Sequence, residues 1–336
     1  MSPKATVLMP VYNGEKYLSE AIKSILNQTF KNFEFLIIDD GSTDKTADII
    51  KSFNDPRIKI ETNENNRGLI YSLNKGIGLA QGEYIARMDA DDISLPERLE
   101  KQIDFMDANQ TIGVCGTFVK NIGDKNFVGE YYTQHNQIKA GLFFNSSLAH
   151  PSVIIRKSIL QNNNLLYDEK FKHAEDYELW ARAIELTDFA NLPKMLLYYR
   201  GHEKNISKTN NETQKNNAKI IKLKQLKKIS LEPAEHEFII HNSILPPDNL
   251  NFCDFFDQAA DWFDKINEAN AKFNYTDNDS LKKIIYDRLL LIASANAKHG
   301  LTVWKNFYNS SIYKNNLNKN WQTIIKLFVK CLLKIN

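Results

Sequence analysis

The sequence Arg87-Met88-Asp89-Ala90-Asp91-Asp92 places three carboxylates within four positions, directly after the apolar strand candidate Tyr84-Ile85-Ala86. Carboxylates repel one another, so crowding them at a strand end usually requires a compensating cation. Small clusters of hard oxygen ligands suit Mg²⁺ or Mn²⁺, which proteins often bind together with substrate phosphates. The run therefore indicates an enzyme that handles a diphosphate. The alternative is a solvated acidic turn that caps a helix beginning near Pro96.

Around this run, the first half of the chain alternates between strand and helix patterns. Short apolar runs predict strands over residues 6–9, 33–38, 57–61 and 84–88. Helix spacing predicts helices over 15–28, from a cap at Ser42, Thr43 or Asp44 to 53, over 69–80, and from the capping box Ser94-Leu95-Pro96-Glu97 through 106. The alternation predicts an α/β fold whose sheet is mostly parallel, with helices on both faces.

Three polar motifs fall where predicted strands end. They are Pro10-Val11-Tyr12-Asn13, Asp39-Asp40 and Asp89-Ala90-Asp91. In parallel sheets of this type, ligands bind beyond the carboxyl ends of the strands. The convergence of three motifs on one edge therefore indicates a binding site more strongly than any one motif does.

Further short motifs accompany these between residues 4 and 205. The set comprises Val7-Leu8-Met9-Pro10-Val11-Tyr12-Asn13, Ser24-Ile25-Leu26-Asn27-Gln28-Thr29-Phe30, Ile37-Ile38-Asp39-Asp40-Gly41-Ser42-Thr43-Asp44, Asn66-Arg67-Gly68, Met88-Asp89-Ala90-Asp91-Asp92 and Glu175-Asp176-Tyr177-Glu178-Leu179-Trp180. In order and spacing they resemble the family 2 glycosyltransferases, which have the Rossmann-like GT-A fold. The resemblance, to non-processive bacterial members, implies transfer of a sugar from a nucleotide donor to an acceptor hydroxyl with inversion at the anomeric carbon.

The resemblance also implies roles for the acids at the strand ends. Asp91 matches the metal ligand that holds Mn²⁺ or Mg²⁺ against the donor diphosphate, and Asp89 matches an acid that faces the ribose or supports the metal. Asp92 matches least well, and we expect it at the start of the following helix. Asp40 matches a carboxylate that accepts a hydrogen bond from the nucleotide base, which favours a UDP-sugar donor.

Other matched positions border the expected donor site. Pro10 and Tyr12 would flank the base, and Arg67 fits a cation near the base or phosphates, although a loop Arg is normally just solvated. Arg200 and His202 would reach the diphosphate or the metal from a late loop that orders when the donor binds. His150 also matches a bordering position, although a lone His is more often structural.

Glu175-Asp176 opens a predicted helix. An acid at a helix N-terminus is stabilised by the helix dipole, which lowers its pKa, so capping is the simpler interpretation. A general base for a hydroxyl works best with a pKa near the operating pH, and burial would raise the value. The resemblance assigns Asp176 as the catalytic base, with Glu175 as its supporting neighbour.

Composition excludes several classes of protein. The 336 residues are 43% hydrophobic, and the net charge of +2 lacks the basic excess typical of nucleic-acid partners. Cys115, Cys253 and Cys331 have no metal-binding spacing, and their odd number argues against a disulfide framework. We find no signal peptide and no apolar stretch of about 18 residues. These features predict a cytoplasmic protein, free or peripheral at the inner face of the cytoplasmic membrane.

We divide the chain into a GT-A nucleotide-sugar transferase domain over 1–205, a Lys/Asn-rich linker or helix over 206–230, and a helical C-terminal region over 231–336. The last segment, 320–336, predicts an amphipathic helix on which Lys326, Lys330 and Lys334 share a face. Such a helix suits an anionic membrane surface. It could equally pack on the protein's own core with its lysines solvated.

Three rival functions remain. A nucleotidyltransferase that makes nucleotide sugars would normally carry a Gly-rich loop with Arg and Lys after the first strand, whereas residues 10–15 contain one Gly and an acid. A catalytically inactive carbohydrate-binding protein is disfavoured because all the expected acids are present. A processive synthase would add membrane helices and a Gln-x-x-Arg-Trp motif, which we do not find. We expect single additions to a glycan or lipid-linked acceptor in surface polysaccharide or glycolipid assembly.

Overall fold

The computed structural model describes residues 2–123, 126–202, 211–248, 250–316 and 321–335. The chain forms two compact units. The first comprises Met1–Ile138 and Ser146–Ile221, and the second comprises Lys139–Asn145 and Lys222–Asn336. The boundary that we predicted between 205 and 206 lies outside the described residues, so it is not tested.

The first unit contains one nine-stranded sheet. The strands are β1 Ala5–Val11, β2 Phe33–Asp39, β3 Ile58–Thr62, β4 Tyr84–Arg87, β5 Ile93–Ser94, β6 Ile112–Gly123, β7 Val128–Gly129, β8 Ile154–Arg156 and β9 Asp188–Gly201. Their order is β3-β2-β1-β4-β8-β6-β9-β5, and β7 pairs with β6. The first four strands in this order run parallel, as do β6 and β9, while β4–β8, β8–β6, β6–β7 and β9–β5 are antiparallel. The predicted mostly parallel α/β fold is confirmed.

Helices alternate with the strands along the chain. They are α1 Leu18–Leu26, α2 Thr46–Lys51, α3 Leu69–Leu79, α4 Arg98–Ala108, α5 His135–Gly141, α6 Lys157–Asn162, α7 Glu175–Ala183 and α8 Asn211–Lys227. Every residue of β1 and β2 is buried. Strands covered on both faces are rich in apolar residues, and these two are apolar apart from Thr6, Glu34 and Asp39. The Thr6 hydroxyl donates a hydrogen bond of 2.6 Å to Glu34 Oε1, which satisfies these two buried polar groups. On α1, Leu18, Ala21, Ile22 and Ile25 join the same core.

One predicted helix start is wrong. Ser94 belongs to β5 and pairs with Leu197 of β9, so the proposed capping box is a strand pairing and α4 begins only at Arg98. For α2, which begins at Thr46, the three cap candidates differ. Ser42 accepts a hydrogen bond from the Asn13 backbone N–H, whereas Asp44 Oδ1 accepts one of 2.9 Å from the Thr46 backbone N–H at the start of the helix.

The second unit is helical, as predicted for the C-terminal extension. Beyond α8, its helices are α9 Glu235–Asn242, α10 Phe252–Phe273, α11 Asn278–Ala295, α12 Leu301–Asn309, α13 Ser311–Asn315 and α14 Trp321–Leu333. Buried aromatic and aliphatic side chains form its core, among them Phe255, Trp262, Phe263, Ile285 and Leu289. Within the described ranges, no helix combines the length and the apolar character that crossing a lipid bilayer requires.

Candidate functional site

Three parallel strands end at one edge of the sheet. In the register, Val11 at the end of β1 lies opposite Asp39 at the end of β2, and Leu8 lies opposite Arg87 at the end of β4. The loops that follow therefore begin side by side, and the Asp40 backbone N–H donates to the Val11 carbonyl at 2.8 Å. The structure thus brings together the three motifs that the sequence placed at strand ends.

The acidic loop after β4 forms a compact cluster. Ligand oxygens of Asp89, Asp91 and Asp92 all lie within 4.8 Å of one another. The buried guanidinium of Arg87 pairs with both carboxylate oxygens of Asp89 at 2.5 Å. Burial raises the pKa of Asp89, and Asp91 adds to the rise, while Arg87 opposes it. One cation therefore already faces three acids, and the cluster retains an excess of negative charge.

Asp92 does not start a helix, contrary to our expectation. Its side chain is buried, and Oδ1 accepts a hydrogen bond of 2.8 Å from the backbone N–H of Arg200. Burial, then the charges of Asp89 and Asp91, raise the pKa of Asp92 well above its usual range. The other oxygen, Oδ2, is buried without a hydrogen-bond partner among the described residues. An unpartnered carboxylate oxygen inside an acidic cluster fits a divalent cation at this position.

The end of β9 lies against the acidic loop. The Nε atom of Arg200 donates to the Asp91 carbonyl at 2.8 Å, and Nη2 donates to Glu20 Oε2 at 2.5 Å. The Arg200 guanidinium also stacks over the ring of Tyr17, 4.5 Å from its centroid. Glu20 and Tyr17 on the α1 side were missed by our sequence reasoning, because nothing local marks a helix acid as the partner of a residue 180 positions away.

His202 follows directly in this segment. Its Nε2 atom lies 2.8 Å from Asp91 Oδ2, so the structure places it beside the predicted metal ligand. Its ring also packs near Tyr17, with centroids 5.4 Å apart. We expected Arg200 in a late loop, but it lies within β9, and residues 203–210 lie outside the described part of the chain, so ordering of this segment with the donor is not tested.

Asp40 is buried and organises the loop that follows β3. Its Oδ1 accepts hydrogen bonds from Asn63 Nδ2 at 2.7 Å and from the Arg67 backbone N–H at 3.0 Å, and Oδ2 accepts one from Gly68 N–H at 2.8 Å. A carboxylate offers about four acceptor positions, so Oδ2 can accept one further donor. The exposed side chain of Arg67 lies over the Tyr71 ring, 4.5 Å from its centroid.

The two residues that we expected to flank a base differ in exposure. Pro10 lies inside β1, where it is buried opposite Ile38. Tyr12, just beyond the strand, leaves 47% of its surface exposed. Tyr12 is therefore accessible to a ligand at this edge, whereas Pro10 is buried within β1 and is not.

Glu175 and Asp176 form the first turn of α7, as predicted. Burial, then the charge of Asp176, raises the pKa of Glu175 to about 7. Burial also raises the pKa of Asp176, and it outweighs the hydrogen bond from the Tyr177 backbone that lowers it. A capping acid would shift the other way, so capping alone does not describe Asp176. Its charge also makes a small contribution to the raised pKa of Asp89, after burial and the charges of Arg87 and Asp91.

His150 begins a short 3-10 turn, His150–Ser152, that precedes β8. Its Nε2 atom is 2.8 Å from the Tyr167 hydroxyl, and its ring packs edge-to-face with Trp180. Burial, then the charge of Arg87, lowers the pKa of His150 well below its usual range. The lowered pKa favours a neutral imidazole, which lacks the positive charge that would attract a diphosphate.

A buried Arg that our sequence reasoning missed fixes the end of β4. Arg98 is fully buried, and its Nη2 donates to the Arg87 carbonyl at 2.7 Å and to the Val153 carbonyl at 3.3 Å. Its Nε donates to Gln102 Oε1 at 3.1 Å. In the sequence Arg98 looks like an ordinary charged residue on a surface helix, so no local pattern marks it.

Comparisons with known proteins agree with this geometry. Residues 6–162 match the family model "Glycosyl transferase family 2". An uncharacterized glycosyltransferase of Haemophilus influenzae is 36% identical over 233 residues, which cover 66% of this chain and 72% of that protein. WfgD of Escherichia coli, a UDP-Glc:alpha-D-GlcNAc-diphosphoundecaprenol beta-1,3-glucosyltransferase, is 33% identical over 175 residues, covering 52% of this chain and 67% of WfgD.

The fold is also similar to that of a solved structure. Residues 1-349 of S. aureus TarS, crystallised with UDP-GlcNAc, superpose with a TM-score of 0.58 at 18% identity, over 97% of this chain and 90% of that one. At this identity the likeness concerns the fold, which is the GT-A fold expected from the motifs. The family model spans the strands that carry the acidic cluster, and the chain covers 72% of a glycosyltransferase that is 36% identical to it, so the chain belongs to glycosyltransferase family 2.

Proposed function

We propose that this glycosyltransferase transfers a sugar from a UDP-sugar to an acceptor hydroxyl, with inversion, using a divalent cation bound at Asp91. The observation that carries the proposal is the meeting of two acidic groups at one sheet edge. Ligand oxygens of Asp89, Asp91 and Asp92 lie within 4.8 Å of one another, and the charge of Asp176 contributes to the raised pKa of Asp89. We assign the cluster to the leaving nucleoside diphosphate and Asp176 to the acceptor hydroxyl.

The donor nucleotide is assigned to the loops after β1 and β2. The remaining acceptor position on Asp40 Oδ2 suits an N–H donor, such as the imide of uracil. The half-exposed ring of Tyr12 offers a stacking surface, and Arg67 offers a cation on an adjacent loop. TarS, which shares the fold, was crystallised with UDP-GlcNAc, and WfgD, a relative of 33% identity, uses UDP-Glc, so both support a UDP-sugar donor.

Mn²⁺ or Mg²⁺ fits the donor set of the acidic cluster. Asp91 and the unpartnered Oδ2 of Asp92 supply hard oxygens, and His202 lies beside Asp91 as a further ligand. Asp89 is held by Arg87, so it supports the cluster or faces the ribose. When bound, the cation acts as a Lewis acid that neutralises charge developing on the nucleoside diphosphate.

Asp176 is proposed to take the proton from the acceptor hydroxyl. Its raised pKa moves it toward the range in which a general base is effective. The hydroxyl of Ser146 donates to Asp176 Oδ2 at 3.4 Å and orients the carboxylate. Glu175, buried beside it with a pKa near 7, adds negative charge above that pH and so keeps the proton affinity of Asp176 high. With Asp176 and the leaving diphosphate on opposite sides of the sugar, the acceptor oxygen would attack the anomeric carbon from the face opposite the leaving group, which inverts its configuration.

The acceptor is proposed to be a glycan or a lipid-linked sugar of a surface polysaccharide or glycolipid. WfgD, a relative of 33% identity, acts on a diphosphoundecaprenol-linked sugar, which supports a lipid-linked acceptor here. Such an acceptor would place the enzyme in the cytoplasm, peripheral to the inner face of the membrane.

The proposal is tested by a turnover screen of the purified chain. A panel of UDP-, GDP- and dTDP-sugars is incubated with Mn²⁺, with Mg²⁺ or with EDTA, and release of nucleoside diphosphate is measured. We expect turnover of one UDP-sugar that requires metal, and a product of inverted anomeric configuration by NMR. Turnover of a GDP- or dTDP-sugar instead would refute the UDP-sugar donor. Full activity in EDTA would refute the metal, and a retained anomeric configuration would refute inversion. Release of pyrophosphate from UTP and a sugar phosphate would instead identify a nucleotidyltransferase.

A further inference from the structure

The last helix, α14, presents three distinct sectors around its circumference. Ile324, Leu327 and Cys331 are buried against the helical unit, where α14 packs on α12. A second sector is apolar but exposed; its residues are Trp321, Ile325, Phe328, Val329, Leu332 and Leu333. At 100° per residue these six span about 140° of the helix circumference next to the buried sector, and Gln322 is the one polar residue within that span. Lys326 and Lys330 occupy the remaining side.

The exposed sector is large and rich in bulky side chains. The exposed fractions are 64% for Trp321, 59% for Ile325, 55% for Leu332 and 60% for Leu333. The patch continues onto α12, because the ring of Trp304 packs edge-to-face on Phe328 and stacks with the half-exposed Tyr308. A contiguous apolar patch of this kind normally marks an interaction surface. We call these six residues with Tyr308 the apolar face of α14.

The charge around this face is strongly one-sided. Residues 288–336 contain eight Lys or Arg and no Asp or Glu, whereas residues 1–287 contain 35 Lys or Arg and 41 Asp or Glu. The small net charge of the whole chain therefore hides a basic C-terminal segment. An apolar face bordered by lysines, with Trp at its end, matches the chemistry of an anionic membrane interface.

We propose that the apolar face of α14, with Lys326, Lys330 and Lys334, docks the helical unit on the surface of an anionic lipid bilayer. A second copy of this chain fits less well, because a symmetric contact would bring two basic segments of like charge together. The proposal does not depend on the donor or the metal, so it stands or fails separately from the proposed chemistry.

The buried side of α14 makes deletion of the helix an uninformative test. Because Ile324, Leu327 and Cys331 are part of the core of the helical unit, deleting α14 would destabilise the protein whatever its exterior does. Substitutions confined to exposed positions avoid this problem. Ile325→Glu with Leu332→Glu alters the apolar face, and Lys326→Gln with Lys330→Gln and Lys334→Gln removes the charges.

Each variant has a matched control elsewhere on the surface. Ile239→Glu, at a residue of α9 that is 46% exposed, introduces a charge at a similar apolar position. Replacing Lys51, Lys59 and Lys170 by Gln removes the same charge from exposed sites in the first unit. Thermal unfolding of every variant should match the wild type, which shows that the fold is retained.

Binding is measured by co-sedimentation of the full chain with vesicles of phosphatidylcholine, with and without phosphatidylglycerol. We expect binding to the anionic vesicles, weakened by salt. The triple Lys variant should lose on the order of 100-fold in partitioning, converted from roughly 1 kcal/mol per lysine. The Ile325→Glu and Leu332→Glu variant should lose binding at all salt concentrations, and both controls should bind as wild type.

A spectroscopic readout is independent of sedimentation. Trp321 fluorescence should shift to shorter wavelength on adding anionic vesicles. The measurement uses a Trp304→Phe background, because Trp304 is only partly buried and packs on Phe328. In that background Trp321→Phe should remove the shift, since Trp180 and Trp262 are already buried. Absence of wild-type binding, or equal binding by the variants, overturns the proposal. So does a dimer in solution that the apolar-face variant dissociates, because a second copy would then cover this face.

Discussion

The imidazole Nε2 of His202 lies 2.8 Å from Oδ2 of Asp91, across 111 positions of sequence. A His at the end of the last strand thus meets the carboxylate that follows β4. Arg200 fixes this contact, because its Nε donates to the Asp91 carbonyl and its backbone N–H donates to Asp92. Three hydrogen bonds therefore join the acidic loop to the β9 end.

Asp91→Asn should abolish metal-dependent turnover of the donor and leave the fold intact. The substitution removes the negative charge of the ligand while keeping its size, so cation affinity falls but packing does not change. Nucleoside diphosphate release and Mn²⁺ binding are the measurements. Asp104→Asn, at an exposed acid of α4, is the matched control and should behave as wild type. Wild-type turnover by Asp91→Asn would remove Asp91 from the metal site.

His202→Ala should raise the Mn²⁺ concentration needed for half-maximal activity by about 10-fold, in the range typical of residues that hold a metal ligand in place. The maximal rate should fall much less once metal is saturating. The measurement is a metal titration of donor turnover, compared with His236→Ala at an exposed position of α9. An unchanged titration curve would show that His202 only packs against Asp91.

Asp176→Asn should lose transfer while keeping affinity for the nucleoside diphosphate. General-base catalysis contributes about 10²–10⁴-fold in rate, and the amide cannot accept the proton. Calorimetry with UDP and Mn²⁺ gives the affinity, and product formation gives the rate. Parallel loss of affinity and rate would instead assign Asp176 to donor binding or to structure.

Glu175→Gln should make the protein more stable at pH 8. The pKa of Glu175 is about 7 in the folded protein against 4.5 normally, so the folded state keeps a proton that the unfolded state releases. Wild-type stability should therefore be full below about pH 4.5 and fall as pH rises through 7. Gln removes this loss, on the order of 3 kcal/mol at pH 8.

The measurement is urea denaturation from pH 5 to 8 in EDTA. The slope of unfolding free energy against pH should flatten for Glu175→Gln and remain for Glu169→Gln, at an exposed acid. Identical slopes in Glu175→Gln and wild type would show that Glu175 ionises normally.

Arg98→Met should lower the free energy of unfolding by about 2–4 kcal/mol, because the Arg87 and Val153 carbonyls lose their buried donor. Lys101→Met removes the same charge from a less buried position of α4 and should change stability by less than about 0.5 kcal/mol. Urea denaturation compares the two. A cost for Arg98→Met no larger than that for Lys101→Met would mean that the buried guanidinium contributes little net stability.

The parallel sheet and its acidic edge could be predicted from the chain because they depend on local patterns. Apolar runs such as those of β1 and β2 predict buried strands, and helix spacing between them requires parallel connections. Parallel strands bring their carboxyl ends to one edge, so strand order alone predicts that Tyr12, Asp40 and Asp89 lie at the same edge. The order of short motifs then identified the family.

Tertiary structure alone decided which charged residues are buried and what they contact. The sequence pattern of Asp92 suits a helix start, yet pairing of β5 with β9 buries it beneath Arg200. Arg98 resembles a solvated helix residue, yet it lies in the core. On α14, the spacing of apolar residues predicts one apolar side. Only packing within the helical unit decides that Ile324, Leu327 and Cys331 are buried while the other apolar residues stay exposed. Local sequence reports spacing along one element, whereas burial and pKa depend on groups that distant elements bring into contact.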